Sequence, residues 1–263
     1  LTETIDWFTW TTKVALYIGF FVGVGGAFFV NWIGGRSAFA SQVAASAMLL
    51  GLLAAPFSGG AQGLQVLMPG GLPALIALAA GLLSLNLKGY PGKGLSSLAL
   101  IAVGVVLAAK NHASAAHPLW LIGPAVFLHG TGVAFWAGSL VPLATALAEW
   151  RADDTASTLH RFSQVAPFAL LPLIAAGMLL ALIRLQTLNA LWLTTYGQVL
   201  LVKMALIAIV FALAVINRFG LTERAQLGDA AARRLLRRSI FAETALLLII
   251  LGIAAALRQL SAG

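Results

Sequence analysis

The stretch Lys110–Leu140 reads KNHASAAHPLWLIGPAVFLHGTGVAFWAGSL. From Leu119 it becomes an apolar run that continues to about Ala148, with no Asp, Glu, Lys or Arg before Glu149. A helix needs about 20 such residues to cross the hydrocarbon core of a bilayer. The run therefore reads as a membrane span, and the rest of the chain follows from it. The same stretch holds three of the four histidines, His112, His117 and His129. An imidazole within an apolar span is costly, so it faces protein or a hydrated cavity and serves a function there. The chain has no cysteine, which leaves imidazole as its best soft-to-borderline metal ligand.

Working outward, the composition agrees. Of 263 residues, 60% are hydrophobic and 9% are charged, against about one-quarter charged in a soluble domain. The chain reads as an all-α, polytopic integral membrane protein with about eight transmembrane helices, most of it in contact with lipid. The expected spans run from Trp7 to Ile33, Ala38 to Met68, Leu72 to Leu87, Leu95 to Ala109, Leu119 to Ala148, Phe162 to Ile183, Trp192 to Ile216 and Ile240 to Leu257. Pro56 and Gly59-Gly60 predict a kink in the second. The third is short, and its bare Pro69-Gly-Gly-Leu-Pro73 entry reads as a truncated loop or as a place where residues are missing. Lys88–Gly94 (KGYPGKG) reads as a turn, Glu149–His160 as a polar loop, and Arg218–Arg238 as the most charged loop. The first apolar run is long enough to span and has no cleavage pattern after it, so no removable signal peptide is expected.

The net charge of +8 is not a nucleic-acid footprint. Eleven of the 16 basic residues (Arg36, Lys88, Lys93, Arg151, Arg161, Arg218, Arg224, Arg233, Arg234, Arg237 and Arg238) fall in alternate loops. That is the bias that orients membrane proteins, and no aromatic–basic interleave for base stacking accompanies it. With eight spans both termini share one side. The charge bias puts them outside, in the periplasm of a bacterial inner-membrane protein, together with Lys110–Pro118. Ser41-Gln-Val-Ala44 and Ser163-Gln-Val-Ala166 open the second and sixth spans, so the halves 1–112 and 113–263 read as a parallel four-plus-four repeat.

Within this frame His129 lies roughly 8–15 Å below the outer surface, at 1.5 Å per helical residue. Gly132 and Trp136 follow at i+3 and i+7 on its face. One ring nitrogen can bind a metal while the other is oriented by a hydrogen bond; the structural alternative is a histidine joining two helices. His112 sits at the mouth of the fourth span, and His117 is either a third ligand or a plain interfacial residue. Trp136 reads as packing. Tyr196 and Lys203 open the seventh span, with Lys203 snorkelling outward or acting on a pathway. Glu243, one turn into the eighth span, reads as a partner of Arg218 or Arg238, with a pathway role as the alternative. The four methionines form no cluster. No Walker motif, Ser-His-Asp order or paired carboxylates occur, so ATP-driven transport and hydrolysis are unsupported and the chain does not read as an enzyme.

Several segments together resemble the copper resistance protein D (CopD-like) family. They are His129-Gly-Thr-Gly-Val-Ala-Phe-Trp136-Ala-Gly138, Arg161-Phe-Ser-Gln-Val-Ala166, Thr194-Thr-Tyr196-Gly197 running to Lys203, Asn217-Arg218, and Leu236-Arg-Arg-Ser-Ile240 to Glu243. The resemblance covers about Leu119–Leu257 and extends more loosely to His112, where the family's Gly-His-Ala reads Asn111-His112-Ala113. It implies a protein of the bacterial inner membrane that takes periplasmic copper, from a CopC-like carrier, and moves it inward. His112 and His129 are then the expected metal ligands, with His117 a third. Neutral imidazole is the ligating form, so binding should weaken below about pH 6. Two other readings fit the residues: a membrane redox protein holding b-type haem between two histidines, and a non-transporting scaffold or sensor for a copper carrier.

Overall fold

A computed structural model of the chain describes residues 6–58, 71–109, 119–149, 152–185 and 189–260. The described residues form helices and no strand. We label the main ones α1 (Trp7–Trp32), α2 (Ala38–Ala54), α3 (Gly71–Ser84), α4 (Gly89–Ala109), α5 (Leu119–Glu149), α6 (Ala152–Leu185), α7 (Thr195–Gln226) and α8 (Ala230–Leu260). All but α3 belong to stretches long and apolar enough to cross a membrane, so the protein is a multi-pass membrane protein. The 14 residues of α3 reach about 21 Å at 1.5 Å per residue, short of the roughly 30 Å hydrocarbon core.

Four expected boundaries move. The second span stops at Ala54 and ends in a 3₁₀ turn, Ala55–Phe57. Pro56 there lacks an N–H and its ring clashes with the preceding turn. The expected continuation to Met68, with Gly59-Gly60 and Pro69, lies outside the described residues. Lys88–Gly94 is not a turn beyond Gly89, because α4 begins at Gly89 (φ +68°) and accepts Pro91 in its first turn, where no N–H partner is required. The Glu149–His160 segment is mostly helix: Thr155, Thr158 and Leu159 are buried, and Thr155 Oγ1 donates to the Ala146 carbonyl at 3.0 Å. The charged loop shrinks to Leu227–Asp229. There Asp229 accepts from the Ala231 and Ala232 amides at 2.8 and 3.1 Å, and its ion pair with Arg224 closes to 2.6 Å.

The bundle is organised on α1 and α5. Gly25 of α1 faces Ala134 and Gly138 of α5, and a Cβ on Gly25 or Gly138 would overlap the facing backbone. Small residues allow this approach, and dispersion across it holds apolar helices together in lipid. One buried cluster joins Phe20, Val24, Met48, Leu78, Val103 and Ala134. The other joins Phe29, Phe135, Trp136, Leu173, Val210 and Ile240.

The basic turns between α1 and α4 are anchored rather than loose. Arg36 donates to the Asn31 Oδ1 at 2.6 Å and the Leu85 carbonyl at 3.0 Å, and the Lys93 ammonium lies 5.1 Å from the Trp32 ring centroid. At the opposite end Asp6 and Gln259 exchange two hydrogen bonds of 3.1 Å, so the described ends of the chain meet. Exposed Trp7, Trp120 and Trp192 stand at the starts of α1, α5 and just before α7, the belt positions where indoles anchor a protein in the membrane interface.

Candidate functional site

The polar side chains of the C-terminal helices fall into two groups, one above the other. The first surrounds His129. Its Nδ1 lies 3.3 Å from the Leu173 carbonyl of α6. A carbonyl only accepts, so that contact requires the Nδ1–H tautomer and leaves the Nε2 lone pair available. Gly177, one turn further along α6, lies against the ring: a Cβ there would come within 3.1 Å of Nδ1 and Cε1. Gly132 packs beside it against Leu173. The glycine-rich sequence after His129 therefore serves to bring α6 close enough to hold the imidazole.

Lys203 of α7 is half-buried and its charge acts on the His129 ring. Thr194 starts this helix, its Oγ1 accepting from the Gly197 amide at 2.9 Å; Tyr196 occupies the first turn.

The second group lies about 10 Å further along α5, seven residues on at helical rise. Trp136 is buried, with its ring 4.8 Å from that of Phe211 on α7, which is the packing role expected of it. It also reaches the Glu243 carboxyl. Glu243 is 3% exposed and accepts from Asn217 Nδ2 at 2.5 Å. The expected partners Arg218 and Arg238 are exposed instead, because the helix face that buries Asn217 turns Arg218 outward. Asn217 opens a π-helical segment, Asn217–Leu221. Beyond it, where α6 meets the end of α7, a cavity of about 390 Å³ is lined by His160, Ser163, Gln164, Arg218, Thr222 and Glu223, among others.

The structure therefore brings Trp136 and Glu243 together, and the Lys203 charge is felt at His129. His112 and His117 lie outside the described residues. Among the described residues no three His, Asp or Glu side chains converge as a metal shell. Sequence reasoning missed Leu173, Gly177 and the Asn217–Glu243 pair. Asn217 beside an arginine at the end of an apolar run was the one available sign of the last.

With this geometry the protein is defined as an α-helical membrane protein whose C-terminal helices enclose a few polar side chains. Residues 156–257 match the family described as Copper resistance protein D, so that segment is similar to it. The chain is also similar to "Copper transport protein CutJ" of Bacillus subtilis (strain 168), 34% identical over 95 residues. That match covers 35% of this chain and 18% of the relative. No solved structure matches the chain.

Proposed function

We propose that the protein moves copper across the bacterial inner membrane, taking the ion on the outer side and passing it inward. The observation that carries this reading is the posture of His129: one ring nitrogen is engaged by the Leu173 carbonyl, which leaves the lone pair on the other. That is the arrangement in which an imidazole ligates a metal while a second interaction fixes its orientation. Copper is a metal that imidazole suits, and the matched family and relative both carry copper in their descriptions.

His112 and His117, on the segment leading into α5, supply the remaining ligands in this proposal. The Lys203 charge beside His129 opposes a bound cation, so it weakens retention and favours transfer over storage. The charge bias of the loops supports an outer position for this site and for both termini. A CopC-like carrier is the proposed donor.

Metal analysis and an absorption spectrum on purified wild type and His129→Ala test the proposal. Copper content should fall in the variant, and copper uptake into proteoliposomes should fall with it. Equal copper in both proteins would remove His129 from the site. A Soret band would replace the copper reading with haem, and copper binding without uptake would replace transport with sensing or docking.

A further inference from the structure

We propose that Glu243 and Asn217 form a proton-binding site inside the membrane, reached from the cavity at the arginine-rich ends of α6 and α7. The inference does not depend on the copper reading.

It begins with hydrogen-bond accounting. Asn217 Nδ2 donates to Glu243 Oε1 at 2.5 Å, while Asn217 Oδ1 is buried without a partner among the described residues. A carboxylate only accepts, so an ionised Glu243 cannot serve Oδ1. A carboxylic acid can: amide and acid have complementary edges, each donating once and accepting once. Turning the Asn217 amide over does not remove the requirement, since Oδ1 would then face Oε1 and only a proton between them would hold the pair. Burial argues the same way, because Glu243 is 3% exposed and an unpaired charge is expensive away from water.

Among the described residues no ion pair to Glu243 takes the proton's place. Among the elements packed on Glu243, α5 presents Trp136. On α7, Arg218 and Glu223 line the cavity and Arg224 pairs with Asp229. Lys203 is 14 residues from Asn217, about 21 Å along the helix, and its charge acts on His129. On α1, Lys13 acts on Asp6. On α8 itself, Arg237 and Arg238 are exposed. On α6, which borders the cavity, His160 Nε2 is 3.1 Å from Gln164 Nε2.

The route rests on a second pair of observations. The other buried side-chain atom without a partner among the described residues is Ser163 Oγ, and Ser163 lines the cavity. Asn217 directly precedes Arg218 of the cavity wall and opens the π-helical segment that forms it. Such segments interrupt the regular backbone pairing and recur at functional sites.

Infrared titration of the full chain in lipid vesicles tests the site without metal. A protonated-carboxyl band should persist at neutral pH in wild type, be missing in Glu243→Gln, and shift in Asn217→Leu. Glu243→Gln has the shape and hydrogen-bonding edges of the protonated acid, so it should keep the wild-type melting temperature. The absence of a neutral-pH band sensitive to Glu243→Gln would overturn the proposal. So would its loss on adding sodium or copper at constant pH, which would make the pair a metal site.

The chain has no native cysteine, so Gln164→Cys places a single thiol on the cavity wall. Modifying it with a bulky reagent should slow deuterium exchange of the Glu243 carboxyl at least tenfold. Unchanged exchange would overturn the route.

Discussion

Helices α5 and α7 both cross the bundle, yet they are packed in opposite ways. The apolar stretch of α5 is 72% buried within the protein, that of α7 11%, and that of α6 17%. The order of hydropathy is the reverse: α7 is the most apolar of the three and α5 the least. In water the most apolar helix would be the most buried. In lipid there is little hydrophobic gain in leaving the bilayer, so burial goes to the helix whose small residues permit close packing. Helix α5 has Gly130, Gly132 and Gly138, which meet Leu107, Leu173 and Gly25. Exposed Phe168 and Leu171 on α6, and Val215 and Ile216 on α7, turn toward the chains of the lipid. The polar residues sit where the outer helices lean on this rigid seam: His129 where α6 meets α5, and Glu243 where α7 and α8 meet beside it.

The sharpest way to break this contrast is to enlarge the seam. Gly138→Leu forces a side chain against the backbone of Gly25, which no rotamer relieves. The cost should reach or exceed the upper end of the ~1–3 kcal/mol range for overpacking. It should appear as a large drop in melting temperature or loss of monodisperse protein in detergent. Phe168→Ala, at a side chain 81% exposed, should change stability by no more than about 0.5 kcal/mol. Equal losses in the two variants would end the comparison.

A smaller effect is expected at the edge of the seam. In Gly177→Ala the new Cβ would sit 3.1 Å from the His129 ring, and the ring must give way by a few tenths of an ångström. That loosens its contact with the Leu173 carbonyl while the fold is kept. Copper affinity, measured by competition titration, should fall by about tenfold, in line with the loss of a ligand-orienting contact. Unchanged affinity would show that the carbonyl does not set the ring's role.

The smallest effect lies outside the membrane, at the Leu227–Asp229 connection. Hydrogen bonds from the Ala232 amide, the Arg224 side chain and the Ala231 amide hold the Asp229 carboxyl below the usual carboxylate range. A lowered value in the folded state means that the stabilisation is present above the unfolded carboxylate's pKa. It is lost as pH falls through the folded value. Asp229→Asn should therefore be slightly less stable than wild type at neutral pH, with the two melting temperatures converging in acid. A difference independent of pH would rule out the charge as its source.

The helices were legible wherever composition alone decides the outcome. Each of the eight expected apolar runs contains a described helix, and the short third run became the short α3. The boundaries were less legible: Pro56 reads as a kink within a span, whereas the described helix ends there in a 3₁₀ turn. Polar residues misled at Ala152–His160 and Thr222–Gln226, because polarity marks the edge of the membrane rather than the end of a helix. Thr155 and Thr158 continue α6 by packing against neighbours that sequence reading cannot see. His129 was visible as a lone imidazole in an apolar run. The expected arginine partner of Glu243 was not the actual one, since opposite charges are the obvious pairing in sequence while helix rotation decides which side chains face each other.

By itself the amino-acid order determined that this chain lives in a bilayer, where its apolar runs lie, and which few side chains are too polar to face lipid without cause. These follow from transfer free energies summed over a helix, which need no neighbours. Only the tertiary structure decided that Leu173 and Gly177 hold His129 and that Asn217 rather than an arginine meets Glu243. Those facts depend on the rotation and approach of helices far apart in the chain, set by backbone contacts at residues such as Gly25 and Gly138.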